Sequence, residues 1–267
     1  MEDKKRIADI TERIIRTKKY RALAPKTIQR IVASAAKRHG LKRAEKEAKN
    51  LLHQTYGAFF PRRPEFAKLA ERFFEMLQAG ASAQEAAPPI LTLHASTRER
   101  IPFLNEFYRR IFAVTDAPQN IIDHACGLNP LTLPWMDLPA DADYTGYDID
   151  IEEAAGVNTI LATMGMGKRA RAKIGDVLID TFPRADIILF LKILPLLEHS
   201  EKGSGLEALR RAQCRHAVVS FSTRTLSGAK KGMERFYADW FPRLIADEGW
   251  THETLSFPNE LVFVVKK

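Results

Sequence analysis

Apolar positions in the first ninety residues recur at helical spacing. Ile7, Ile10 and Ile14 fall on one face of a first helix. Ile28, Ile31, Val32 and Ala35 repeat the stripe, with Pro25 suited to a first turn and Gly40 to a stop. A third helix, about Arg43 to Tyr56, turns Ala44, Ala48, Leu51 and Leu52 inward, and Gly57 and Pro61 break it. A fourth, about Pro64 to Gln78, carries Phe66, Leu69, Phe73 and Leu77 on one side. The small-residue, Pro-rich segment AGASAQEAAPP reads as a linker. Beyond it, Ser96 or Thr97 is placed to cap a further helix.

Near residue 119 the rhythm changes to alternating strands and helices. NIIDHA is a first strand, followed by the turn CGLNP; YTGYDID, at 144–150, is a second strand ending in acids. RAKIGDV ends a third at Asp176. ADIILFLKI, at 185–193, is apolar enough to be buried on both faces. HAVVSFST, at 216–223, is a fifth, and HETLSF with LVFVVKK forms a terminal pair. Helices fit at 151–164, 203–213 and 232–246. This alternation implies an α/β fold with a parallel sheet covered on both faces.

Composition narrows the class. The 267 residues are 45% hydrophobic and 28% charged, which suits a globular chain and excludes wholesale disorder. Two cysteines cannot build a disulfide scaffold or a cysteine-rich zinc site, and no metal site is expected. No apolar run approaches the ~20 residues of a membrane span. The N-terminal MEDKKRIADITERII lacks the apolar stretch of a signal peptide, so a cytoplasmic location is expected. The net charge of +8 is unevenly placed. Residues 1–63 hold 18 Lys and Arg against 6 Asp and Glu, while the remainder holds 23 against 27. Positive charge gathered on one module is the footprint of a nucleic-acid binder; a plainly solvated helical surface is the competing reading.

In an open parallel sheet, ligands sit beyond the carboxyl ends of the strands. Three features converge there. Asp123-His124-Ala125-Cys126-Gly127-Leu128-Asn129-Pro130 follows the first strand, and Gly127 allows close approach of a ligand to backbone. Asp148 ends the second strand, 21 residues after Gly127, placed to accept from ribose hydroxyls. Gly175-Asp176-Val177 ends the third, where a carboxylate can meet a purine amine. The dinucleotide pattern G-x-G-x-x-G is absent. One glycine with two nucleoside carboxylates suits a cofactor without phosphates, such as S-adenosylmethionine. Singly, each acid is as well explained by a cap or a turn.

LTLHASTRER, DHACGLNPLTLP, LKILPLLEH and SFSTRTLSGAKKGMERFYADWF together resemble the aminoglycoside-resistance 16S rRNA methyltransferases of the Arm/Rmt and Kgm/Sgm type. The N-terminal KKYRALAPKTIQRI is similar to that family's KKYR-x-L-x-P-x-T element. The resemblance spans nearly the whole chain. It implies an all-helical RNA-binding domain over residues 1–90 that docks on 16S rRNA in the 30S subunit. A Rossmann-like S-adenosylmethionine-dependent methyltransferase domain over 91–267 follows. The implied reaction is methylation of N7 of guanine-1405, conferring aminoglycoside resistance; a monomer is the default expectation. A methyltransferase for another rRNA position and a non-enzymatic ribosome-binding factor of the same fold stand as alternatives.

Residue by residue, the resemblance puts His94, Ala95 and Ser96 at the cofactor, with Arg100 on its methionine carboxylate. Tyr56 reaches the cofactor from the helical domain, and Ala125 and Gly127 approach the methionine moiety. Asp148 holds the ribose, Asp176 and Val177 the adenine, and Leu191 and Ser200 complete the contacts. The sequence departs from the family at His124, at His199-Ser200 and at Ser222. Lys192 is the candidate catalytic residue, contacting the target nucleotide; the alternative is a strand-end lysine reaching solvent. Lys18, Lys19, Arg21, Arg224, Lys230, Lys231 and Met233 are the candidate RNA contacts. Phe221 and Phe236 are stacking candidates whose apolar setting favours the core. Guanine N7 carries a lone pair and no proton, so the reaction needs no general base and no covalent intermediate on Cys126.

Overall fold

The computed structural model describes residues 2–57, 64–223 and 232–267. Three helices, α1 (Glu2–Ile15), α2 (Pro25–His39) and α3 (Leu41–Leu52), pack into a bundle. Their core is Ile10, Ile14, Ile28, Ile31, Val32, Ala44, Ala48 and Leu52, from the stripes that the helical spacing marks, joined by Leu23 from the turn before α2. Pro25 opens α2, and Gly40, with φ of 76°, stops it. The α-helical hydrogen bonding of α3 ends at Leu52, and one turn of π-helix, His53–Gly57, carries Tyr56.

The next helices join the other half of the molecule. α4 (Phe66–Gln78) lies on a later helix, and its Ala70 and Phe73 belong to the core on one face of the sheet. The segment expected to be a linker is folded instead. It forms α5 (Ala83–Ala86) and α6 (Pro88–Leu91), with Ala86, Ala87, Ile90 and Leu91 buried. Two of its polar residues are cap residues: Ser82 and Glu85 make a reciprocal capping box. α7 (Ala95–Arg100) starts two residues earlier than a Ser96 cap implies, at a His94 N-cap with no side-chain cap. Thr97 is buried and spends its hydroxyl on the carbonyls of Leu91 and His94. α8 (Leu104–Thr115) leads to the sheet.

The strands are β1 (Asn120–His124), β2 (Asp143–Asp148), β3 (Ala170–Ile174), β4 (Ala185–Leu191), β5 (Cys214–Ser222), β6 (Thr251–Phe257) and β7 (Glu260–Lys266). Their order is β3-β2-β1-β4-β5-β7-β6. The first five run parallel, and β7 is antiparallel to both β5 and β6. Between them lie α9 (Ile151–Thr163), α10 (Leu194–Ser200), α11 (Ser204–Arg211) and α12 (Met233–Leu244). α10 has no counterpart in the sequence reading, which left LPLLEH beside an apolar strand.

Successive strand residues point to opposite faces, and the core divides accordingly. Ile121, Ile187, Leu189, Val218 and Val262 pack on one face with α8 and α9. Ile122, Ile188, Phe190, Val219 and Phe263 pack on the other with α10, α11 and α12. Gly156 on α9 lets α4 close in, because a Cβ there would run into the ring of Phe66. The helical bundle is stitched to the sheet through backbone: Ala24 N donates to Ile149 O and Ile151 N to Ala22 O, both at 2.8 Å. Among the described residues, no helix is long and apolar enough to cross a membrane.

Candidate active site

The strand order reverses direction between β1 and β4, so a crevice opens beyond their carboxyl ends. The turn after β1 is built for close approach. Ala125 and Gly127 both sit in left-handed backbone, with φ of 53° and 49°. A side chain at Gly127 would come 3.4 Å from His94 Nε2 and 3.5 Å from Glu153 Oε1. The missing Cβ thus leaves a cradle between an imidazole and a carboxylate. His94 is oriented by a 2.8 Å hydrogen bond between its Nδ1 and Ser96 Oγ. Burial, then the cations of Lys192, Arg100 and Arg98, push His94 down to about 4, so its ring is neutral at pH 7.

Asp148 stands at the end of β2, as its spacing from Gly127 suggests. Its Oδ2 accepts from Gly127 N at 2.9 Å, and its Oδ1 from Ile149 N at 2.7 Å and Asp150 N at 3.1 Å. The carboxylate therefore shapes the turn while facing the crevice. Burial pushes it up, and the N–H groups of Gly127 and Asp150 only partly reverse this. Asp150 caps α9 by accepting from Glu153 N at 2.9 Å, and its other oxygen accepts from the Tyr56 hydroxyl. Asp176 follows the end of β3, with Oδ1 on Leu178 N at 3.0 Å and Oδ2 on Arg30 Nε at 2.9 Å.

Lys192 leaves β4 in left-handed backbone, with φ of 61°. Its side chain does not extend freely into solvent but is mostly buried beside two carboxylates, still bordering the cavity. Nζ lies 2.7 Å from Glu99 Oε2 and 3.3 Å from Glu260 Oε2. Glu260, fully buried at the start of β7, also takes Arg100 through both oxygens. Arg100 donates its third bond to Asn129 Oδ1 at 2.9 Å and lies over the Phe107 ring. Burial alone would raise Glu260, but the Arg100 and Lys192 cations hold it below the usual carboxylate range. Asn129 also donates to Asp123, which burial, opposed by Tyr144 and Asn129, pushes up to about 6.

One cavity gathers most of the expected cofactor residues. Tyr56, His94, Ser96, Ala125, Gly127 and Asp148 line it, as do Asp176, Val177, Leu191, Lys192 and Ser200. Two expected residues do not. Ala95 is buried and does not line the cavity, and Arg100 points to Glu260, so on the side of His94 and Leu191 the cation that borders the crevice is Lys192. The physical reason is the buried Glu260 carboxylate, which would be left uncompensated without Arg100. Sequence reasoning missed Arg30, Glu99, Glu153 and Glu260. Glu260 alone carried a local signal, an acid opening the apolar run LVFVV.

Of the candidate RNA contacts, Lys18, Lys19 and Arg21 are exposed in the turn after α1. Lys19 Nζ lies 3.0 Å from His53 Nδ1. Met233 opens α12, half-buried. Arg224, Lys230 and Lys231 lie outside the described residues. Phe221 is in the core as expected, whereas Phe236 is 57% exposed and stacks on Trp240 along the outer side of α12. Among the described residues, no cluster of His, Cys, Asp and Glu is placed to hold a metal ion.

The chain is similar to known proteins over nearly all of its length. The ribosomal RNA methyltransferase (FmrO) family model matches residues 16–264. The 16S rRNA (guanine(1405)-N(7))-methyltransferase of Frankia casuarinae is 35% identical, over 97% of this chain and 93% of that protein. The protein of the same name from Micromonospora echinospora is 34% identical, over 98% and 97%. The crystal structure of the 16S rRNA methyltransferase RmtF with S-adenosyl-L-homocysteine superposes with a TM-score of 0.82, at 33% identity over 98% of each chain. That of the 16S rRNA methylase RmtB gives a TM-score of 0.75, at 30% identity over 98% of each. The sheet order, the cradle at Gly127 and these matches agree: the chain belongs to the ribosomal RNA methyltransferase (FmrO) family.

Proposed function

We propose that this chain methylates N7 of guanine-1405 of 16S rRNA within the 30S subunit, using S-adenosylmethionine, and so confers aminoglycoside resistance. The observation that carries the reading is one crevice holding Gly127, Asp148 and Asp176 at the ends of three consecutive strands. The residues present fit the cofactor. Gly127 leaves room for its amino-acid end, Asp148 offers acceptors to ribose hydroxyls, and Asp176 offers one to an adenine amine.

When bound, S-adenosylmethionine would supply a sulfonium methyl that a nitrogen lone pair can attack, with the neutral thioether S-adenosylhomocysteine as leaving group. The rest falls to the chain's own side chains. A neutral His94 adds no positive charge against the sulfonium. The cations of Lys192 and Arg100 are balanced by Glu99 and Glu260, so the wall does not repel a cationic ligand. Guanine N7 has no proton to lose, and rate comes from proximity and alignment. Lys192, at the mouth of the crevice, orients the incoming nucleotide through its base edge or phosphate.

The basic helical region, residues 1–90, serves as the docking part and residues 91–267 as the transferase. Within the first, only α1 to α3 have a core of their own. Docking begins at Lys18, Lys19 and Arg21, and the chain acts as a monomer in the cytoplasm on assembled subunits. The test is methyl transfer from labelled S-adenosylmethionine to purified 30S subunits, with the product mapped by cleavage at 7-methylguanine. Label at guanine-1405 supports the reading; label at another nucleotide, or none, overturns it.

A further inference from the structure

Part of the cofactor cavity is walled by the helical region. Arg30 on α2 and Tyr56 on the π turn line it opposite Asp176 and Val177. Lys26 and Arg30 stand one turn apart on α2, and they hold two carboxylates one turn apart in the segment after β3. Lys26 Nζ lies 2.6 Å from Asp180 Oδ2, and Arg30 Nε lies 2.9 Å from Asp176 Oδ2. Asp180 in turn accepts from Asp176 N at 2.7 Å, which fixes the turn. The two pairs differ in setting. The Lys26 side chain is 44% exposed, while those of Arg30 and Asp176 are 18% and 3% exposed.

A latch explains Lys26 but not all of Arg30. Arg30 Nη1 is shut off from solvent and has no acceptor among the described residues. Such an unmade bond is costly, the more so for a charged donor. It lies in the wall where a nucleoside fits, and the edge of an adenine carries ring nitrogens that accept. Each Asp176 oxygen has one partner, Leu178 N or Arg30 Nε, and keeps acceptor capacity for an amine.

We propose that Arg30 is a cofactor-binding residue, its Nη1 donating to a ring nitrogen of the adenine whose exocyclic amine Asp176 accepts. This rests on the S-adenosylmethionine reading above. It puts a nucleoside contact on a helix of the docking region.

The test is calorimetry of S-adenosylhomocysteine on the full chain and on Arg30→Ala, Arg30→Lys and Lys26→Ala. Arg30→Lys keeps a cation for Asp176, so it remains informative if Arg30→Ala fails to fold. Both Arg30 variants are expected to bind about tenfold or more weakly, and Lys26→Ala less than about threefold. The 1-deaza, 3-deaza and 7-deaza analogues locate the acceptor. One of them should bind the natural chain about tenfold more weakly than the parent, and Arg30→Lys should no longer distinguish it. Equal losses in Arg30→Lys and Lys26→Ala, with no analogue singled out, would make Arg30 a latch only and overturn the proposal. Unchanged affinity in Arg30→Lys would overturn it too. Failure of the natural chain to bind S-adenosylhomocysteine would instead sink the cofactor reading itself.

Discussion

Arg100 closes α7 and Glu260 opens β7, and the two face each other through paired hydrogen bonds of 2.7 and 3.2 Å with no access to solvent. Lys192, after β4, shares the same carboxylate at 3.3 Å. One buried anion therefore ties together the helix that carries His94 and Ser96 at its start, the strand that delivers Lys192 and the terminal hairpin. The crevice is held from behind by electrostatics that no local stretch of sequence contains.

Removing that anion should cost much of the stability. Glu260→Gln leaves Arg100 without its paired carboxylate and Lys192 with Glu99 as its one ion-pair partner among the described residues. Breaking a buried pair from one side costs about 3–5 kcal/mol. Urea unfolding is expected to show a loss in this range. A loss under about 1 kcal/mol would mean that water reaches the pair.

His124 should make stability depend on pH. It is buried against Phe182 and Phe190, with ring centroids 4.4 and 5.0 Å away. Burial, with a smaller effect from Arg211, pushes it down from 6.5 to about 4. Between these values the unfolded chain binds a proton that the folded chain refuses, so this contribution is whole above pH 6.5 and is lost as pH falls toward 4. Other groups titrate in the same window, so the comparison is with His124→Leu. Lowering the pH from 7 to 4.5 should favour the variant over the natural chain by up to about 3 kcal/mol. A difference that stays flat across that range would show that His124 is freely protonated.

Gly127 should be intolerant for reasons of function more than of stability. Ala at φ of 49° costs about 1 kcal/mol of backbone strain. Its Cβ would stand 3.4 Å from His94 Nε2, inside the space left for the cofactor. Gly127→Ala should fold, with a melting point a few degrees lower. S-adenosylhomocysteine should bind it at least about tenfold more weakly, a loss of about 1.4 kcal/mol. Undiminished affinity would show that the ligand does not approach this turn.

The parts of the site that were legible in the sequence are those set by position along a strand. Gly127, Asp148 and Asp176 stand where a parallel sheet must present its strand ends, so their order and spacing sufficed. Helical stripes likewise marked Ile28, Ile31 and Val32 as core. Residues paired across the fold were not legible. Lys26 and Arg30 match Asp180 and Asp176 over some 150 positions, and nothing local in either segment announces the other. The supposed linker failed for a related reason. Its Ala86 and Ala87 are small because they are buried in the core that also holds residues of α4 and α8, not because they are free. Phe236 failed the other way: α12 is amphipathic about Phe241, and the spacing leaves Phe236 outside.

The basic turn after α1 supplies the last test. Lys18, Lys19 and Arg21 are exposed, and Arg21 has only a 3.9 Å approach to Glu152 to hold it. Exposed cations of this kind contribute little to folding, about 0–1 kcal/mol per pair, so their concentration here needs another use. Contacts with RNA phosphates release counterions, and each lowers the slope of log affinity against log salt by about 0.7–0.9. Alanine at all three positions should leave the melting point and S-adenosylhomocysteine binding unchanged. It should weaken binding to the 30S subunit and flatten its salt slope by about two. Unchanged subunit affinity would move the docking surface elsewhere on the helical region. Weaker affinity with an unchanged slope would mean that the turn touches the subunit without meeting phosphate.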